Sequence, residues 1–282
     1  MKYNKINFVK ILEDTYNKTI IKNKKYIHNQ KYTIEDYINE ILLFVKNNVY
    51  WSKYNGKING KLLNSKHNEF IKYNIYELAY RELLNNYLLK NTYCKLKYLS
   101  VDTLFVKNKG IFVTRYDLKN KNIGRNKYYK NKRGVKVSTI VDSNGVPLNL
   151  ECIMGNSHDV KFFDHLYDNS FVNTNLVNKK YKKKSYFLGD KAYDCKNVRN
   201  LTKEHITIID YNKRKTKKKI KKLNPFEKKI YKKRIRVENY FAWLTRFPKM
   251  NMIVEHIKKI KKICNTNLFY LFDLQAKEEY FL

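Results

Sequence analysis

Leu99-Ser100-Val101-Asp102-Thr103-Leu104-Phe105-Val106 is an apolar, β-rich run interrupted by one aspartate. Branched and aromatic residues in such a run predict a strand. Further on, Gly134-Val135-Lys136-Val137-Ser138-Thr139-Ile140-Val141 alternates at period two. Val146-Pro147-Leu148-Asn149-Leu150-Glu151-Cys152-Ile153 comes after Asp142-Ser143-Asn144-Gly145. The Asn-Gly pair between two apolar runs predicts a hairpin. Downstream, Asn156 or Ser157 is suited to cap a helix carrying Val160, Phe162, Phe163, Leu166 and Tyr167. Tyr186-Phe187-Leu188-Gly189-Asp190 then reads as a short buried strand, Cys195 to Glu204 as a helix, and Ile206-Thr207-Ile208-Ile209 as another strand. Strand, hairpin strands, helix, strand, helix, strand and a final long helix is the order of an α/β mixed sheet flanked by helices.

The final helix carries strong start signals. Asn224 suits the N-cap, Pro225 the first helical position and Glu227 the first turn. Steps of three and four from Glu227 place Tyr231, Arg234, Glu238, Phe241 and Thr245 on one stripe. Upstream of the strands, residues 1–95 read as helical. Thr33 can cap a helix with Ile34, Tyr37, Ile38, Ile41, Leu42 and Val45 on one face, and Asn74 with Glu77 can open another. Between them lies the Gly/Asn-rich loop Tyr54-Asn55-Gly56-Lys57-Ile58-Asn59-Gly60. This region fits a DNA-binding unit of helix-turn-helix character, and equally a structural helical subdomain.

The chain has 282 residues, with 60 Lys plus Arg against 25 Asp plus Glu and a net charge of +35. With 43% apolar and 15% aromatic residues it is not a disordered basic tail. Positive charge of this size favours nucleic acid as partner, although 51 of the cations are Lys, usage that an AT-biased coding sequence would also produce. Five of the nine arginines fall between Arg125 and Arg133 or between Arg234 and Arg246. The run from Lys213 and Arg214 to Lys222 is a basic connection before the last helix, suited to DNA backbone, to nuclear import or simply to solvent. The N-terminus lacks an apolar leader and no window is apolar enough to span a bilayer, so an intracellular, soluble protein with no membrane partner is expected, in cytoplasm or nucleus according to source. Cys94, Cys152, Cys195 and Cys264 form no C-x-x-C pair, which argues against zinc and disulfides.

Three acids sit where packing does not predict them. Asp102 interrupts a strand, Asp190 ends one, and Glu238 lies among Val237, Tyr240, Phe241, Trp243 and Leu244. A half-buried carboxylate must be paired, protonated or metal-bound. Together they make an oxygen set of the kind that hard divalent cations favour.

These acids stand within Val101-Asp102-Thr103, Lys132-Arg133-Gly134, Gly155-Asn156-Ser157-His158-Asp159, Leu188-Gly189-Asp190-Lys191-Ala192-Tyr193-Asp194 and Arg234-Ile235-Arg236-Val237-Glu238-Asn239-Tyr240-Phe241. From about Lys97 onward this pattern resembles the DDE transposases of bacterial insertion sequences. The resemblance implies an RNase H-like catalytic domain over residues 96–282 behind a helical DNA-recognition region over 1–95. It implies Asp102, Asp190 and Glu238 as catalytic ligands of two Mg²⁺ or Mn²⁺ ions. Tyr231, Arg234, Arg133, Lys191, Arg246, Lys213 and Arg214 would contact DNA, and His158 with Asp159 would support the site or merely cap the next helix. Double-stranded DNA, as element ends and target, is the implied partner, with a homodimer in the DNA complex. In one place the chain departs from the family: where a basic residue often stands seven positions after the glutamate, Thr245 is found, with Arg246 next to it. A nuclease without strand transfer, or a DNA-binding relative that no longer cuts, are the alternative readings.

Overall fold

The computed structural model describes residues 8–22, 31–47, 49–89, 92–108, 124–170, 182–211, 222–247 and 252–253. The chain divides into two compact units, one holding the residues up to Tyr87 and the other running from Leu88 to Arg246 with Met252–Ile253.

Helices build the first unit: α1 (Phe8–Lys22), α2 (Ile34–Lys46), α3 (Gly60–Lys72) and α4 (Ile75–Leu89). Thr33 opens α2 as expected, in a reciprocal capping box with Asp36 whose two bonds are both 3.1 Å. Asn74 opens α4 as expected, its carbonyl accepting from Leu78 N at 3.0 Å, with Glu77 in the first turn. Asn74 takes a left-handed φ of 53°, which asparagine tolerates, and makes the turn out of α3, while Glu77 pairs with Arg81 one turn on. Two helices, α1 and α3, do not stand out in the sequence pattern. The Gly/Asn loop ends sooner than its composition suggests, because the Asn59 side chain accepts from Lys61 N at 2.8 Å and starts α3.

The second unit begins with a short helix α5 (Thr92–Lys95) and holds a seven-stranded sheet. Its strands are β1 (Tyr98–Asn108), β2 (Gly124–Asn126), β3 (Lys132–Val141) and β4 (Pro147–Met154), then, after helix α6 (Phe163–Asp168), β5 (Tyr186–Gly189). Helix α7 (Lys196–Leu201), β6 (Ile206–Ile209), helices α8 (Pro225–Tyr231) and α9 (Ile235–Leu244), and β7 (Met252–Ile253) complete it. The path β4-β3-β1-β5-β6 is antiparallel on its first three strands and parallel on its last three. This mixed sheet with flanking helices is an RNase H-like fold. The Asp142–Gly145 hairpin forms as the Asn-Gly signal predicts. Gly145 takes φ 82°, and the buried Asp142 carboxylate accepts from Asn144 N and Val146 N at 2.8 and 2.9 Å. Among the described residues no helix is long and apolar enough to cross a membrane.

The expected elements are present with three corrections. The helix expected from Asn156 or Ser157 starts later, as a 3-10 turn at Asp159–Phe162 leading into α6, with His158 at its cap position. The helix expected over Cys195 to Glu204 is confined to α7. The last helix does open on Asn224, which shares a capping box with Glu227, but a 3-10 turn at Lys232–Arg234 divides it into α8 and α9. Three residues at the tighter pitch rotate the side chains of α9 by about 60° relative to a continuous α-helix. Arg234 ends that turn, facing β1.

Behind the sheet, His205 is buried between the Tyr167 hydroxyl and the Ser185 hydroxyl at 2.8 and 2.5 Å. Burial, with the positive Lys182 nearby, lowers its pKa to about 4, so the ring is neutral at physiological pH.

Candidate active site

The parallel register pairs Val101 of β1 with Gly189 of β5. The next residue on each strand is Asp102 and Asp190, which therefore stand side by side on strands about 4.8 Å apart. Asp190 directly follows β5 and caps the adjoining 3-10 turn, its Oδ1 accepting from Ala192 N at 2.7 Å. Asp102 stays within β1, opposite Thr139 of β3, with its Oδ1 accepting from Thr103 N at 2.8 Å.

Arg234 joins this pair to the helix. Its Nη1 donates to Asp102 Oδ2 at 2.9 Å, and its Nη2 donates to Glu238 Oε1 one turn along α9. Tyr231 lies under the same guanidinium, 5.9 Å from its ring centroid. One cation thus spans two of the three acids, and the third is adjacent to the first. Burial raises the Asp102 pKa and the neighbouring Asp190 charge adds to the rise, against the Thr103 N–H and Arg234, which favour the ionised form. For Arg234 burial opposes the charge, but Asp102 foremost, with Tyr231 and Glu238, more than offsets it.

A layer of hydroxyls stands behind the aspartates. Tyr193, fully buried at the end of the turn that Asp190 caps, bonds Thr103 Oγ1 at 2.8 Å, and Thr103 donates to Ser138 Oγ at 3.1 Å. The turn bearing Asp190 is therefore tied to the residue beside Asp102. Sequence reasoning missed this link, although Tyr193 and Thr103 both lie inside the quoted motifs. Lys136 was also missed: it donates to Asp159 Oδ1 at 2.7 Å and to the Ser157 carbonyl at 2.8 Å. Asp159 thus has a salt-bridge role beyond helix capping, and its charge reaches Tyr193 together with that of Asp102.

His158 is exposed at the start of the 3-10 turn, and Lys191 is exposed just after Asp190. Arg133 lies toward the far end of β3, opposite Arg125 of β2. Thr245 ends α9, donating to the Ala242 carbonyl at 3.1 Å, and Arg246 beside it is exposed. Lys213 and Arg214 lie outside the described residues. The described cysteines Cys94, Cys152 and Cys195 are free.

A family model described as the transposase DDE domain matches residues 101–252, from the residue before Asp102 to the first residue of β7. The chain belongs to the DDE transposases. Searches of curated proteins and of solved structures returned no match. The family implies transposition chemistry on DNA, generally with divalent metal. Among the described residues no three His, Cys, Asp or Glu side chains stand close enough to hold one ion as arranged, since Arg234 bridges Asp102 and Glu238. The donor chemistry nevertheless fits: all three acids offer hard oxygen, two share a cation already, and the adjacent pair is short of positive charge.

Proposed function

We propose that this DDE transposase cuts the ends of a bacterial insertion-sequence-type element and joins the freed 3′-hydroxyl to a target phosphodiester. The observation that carries the reading is that one guanidinium joins Asp102 to Glu238 while the strand register sets Asp190 beside Asp102. Asp102, Asp190 and Glu238 would hold two Mg²⁺ or Mn²⁺ ions, which supply activation of the attacking water or 3′-hydroxyl and stabilisation of the leaving oxygen. Arg234, once released from the carboxylates, has the planar fork to hold a phosphate bidentately, which lysine lacks. Tyr231 would keep that fork in plane by stacking beneath it. Tyr193 and Thr103 would hold the two aspartates in register, and Lys136 with Asp159 and His158 would support the turn beside them. Lys191, Arg133, Arg246, Lys213 and Arg214 would position DNA backbone, and the helices of the first unit would recognise the element end. A homodimer would pair two ends in the DNA complex.

Purified protein given end-containing duplex and Mg²⁺ should cut it, and Asp102→Asn should not. Equal nicking by wild type and Asp102→Asn would refute the assigned roles. Joining of a supplied 3′-hydroxyl end separates a transposase from a nuclease. One residue favours a rival, a DNA-binding relative that no longer cuts: Thr245 replaces a common basic position. Absence of cleavage by wild type in this assay would support that rival.

A further inference from the structure

Away from the carboxylates, β2 and β3 form a hairpin whose tip has a distinct chemistry. Gly124-Arg125-Asn126-Lys127-Tyr128-Tyr129-Lys130-Asn131-Lys132-Arg133-Gly134 holds five cations and no acid. Arg125, Lys127, Lys130 and Lys132 are all exposed. The loop is held by more than its strands. The buried Asn126 side chain accepts from Tyr128 N at 3.0 Å and starts a 3-10 turn over Lys127–Tyr129. Lys130 and Asn131 then both adopt left-handed φ values, 53° and 55°, a conformation lysine rarely takes. Tyr129 is stacked on Phe105 of β1, with ring centroids 4.6 Å apart and planes at 28°. Its neighbour Tyr128 is 96% exposed.

Two adjacent tyrosines thus have opposite roles: one anchors the loop and the other stands on it almost free of protein contact. A fixed aromatic face ringed by cations matches a nucleobase whose own face is uncovered, with its phosphates neutralised on either side. A paired base offers no such face, because its neighbours in the stack cover it. We propose that the β2–β3 tip is a docking surface for unpaired DNA, with Tyr128 stacking on a base and Arg125, Lys127, Lys130 and Lys132 holding the flanking phosphates. This rests on the reading of the chain as a DNA-processing protein and adds a contact remote from the carboxylates. Thr139, opposite Asp102, and Lys132 are seven residues apart along β3, or about 23 Å.

The test is fluorescence anisotropy of the full chain with a short single-stranded DNA and with a blunt duplex, each over the same series of salt concentrations. Tyr128→Ala should weaken single-strand binding about tenfold, the scale of one lost base stack, and leave duplex binding unchanged. Tyr128→Phe should retain binding, and neither variant should change the salt slope, since no cation is lost. Circular dichroism should show both variants folded, as expected at a side chain this exposed. Equal loss on duplex and single strand, or no loss on either, would overturn the proposal. So would a Tyr128 dependence seen only with an RNA of the same sequence. If Tyr128→Ala behaves as expected while wild type fails to cut end DNA, the proposed function fails and the docking surface stands.

Discussion

Removing the charge of Arg234 should destabilise the metal-free protein and make its stability depend on divalent cation. The Asp102–Arg234 pair has side-chain exposures of 24% and 19%, whereas Glu238, the other partner, is 50% exposed. The Glu238 arm therefore contributes little, about 0.2–1 kcal/mol as for surface pairs. The Asp102 arm matters more. Without Arg234 the Asp102 carboxylate is left beside Asp190 with no counter-charge, a loss that reaches roughly 3–5 kcal/mol in fully buried pairs. For this partly buried site about 2 kcal/mol is expected for Arg234→Met, or about 4–8 °C in melting temperature for a unit of this size. Mg²⁺ then has vacated oxygens to fill, and at a hundred times its dissociation constant it would restore about 2.7 kcal/mol. Wild type must give up its guanidinium to bind the ion, so its melting temperature should rise less. Differential scanning calorimetry of both proteins with EDTA and with Mg²⁺ measures all four values. Arg234→Lys, which keeps a charge but not the fork, should fall between them. The reasoning is refuted if Arg234→Met is as stable as wild type in EDTA, or if Mg²⁺ raises both melting temperatures equally.

Two further outcomes rest on buried geometry. His205 titrates at 6.5 when unfolded and at about 4 in the fold, so the stability it confers is complete above pH 6.5 and is lost as pH falls toward 4. The loss over that window is about 3 kcal/mol, and urea unfolding at several pH values should show it in wild type and not in His205→Gln; identical pH profiles would contradict it. Gly134 of β3 pairs with Lys107 of β1, and a Cβ there would strike the Val106 carbonyl oxygen and lie 2.6 Å from Phe105 Cζ. Gly134→Ala should therefore cost about 1–3 kcal/mol, seen as a lower denaturant midpoint, and an unchanged midpoint would show that the strands can part at no cost.

Much of the fold was legible because its signals are local. The period-two alternation of β3, the Asn144-Gly145 turn and the Asn224-Pro225-Glu227 helix start each act through backbone sterics and hydrogen bonds within a few residues. The acids were legible for a related reason, since a carboxylate in an apolar run needs a partner. Less legible were α1 and α3. The division of the last helix was also hidden, because a 3-10 turn has no composition of its own and arises where Arg234 meets β1.

The sequence by itself determined which segments become strands and helices, and which three acids lack an obvious neighbour. Only the tertiary structure decided who those neighbours are. Arg234 reaches Asp102 across 132 residues, and Tyr193 reaches Thr103 across 90, because the 3-10 turns that carry them pack against β1. Tyr128 and Tyr129 are indistinguishable as letters, yet the turn aims one at Phe105 and the other at solvent. A side chain's partner across a sheet depends on register and on the direction the backbone turns, and neither is encoded in the few residues around it.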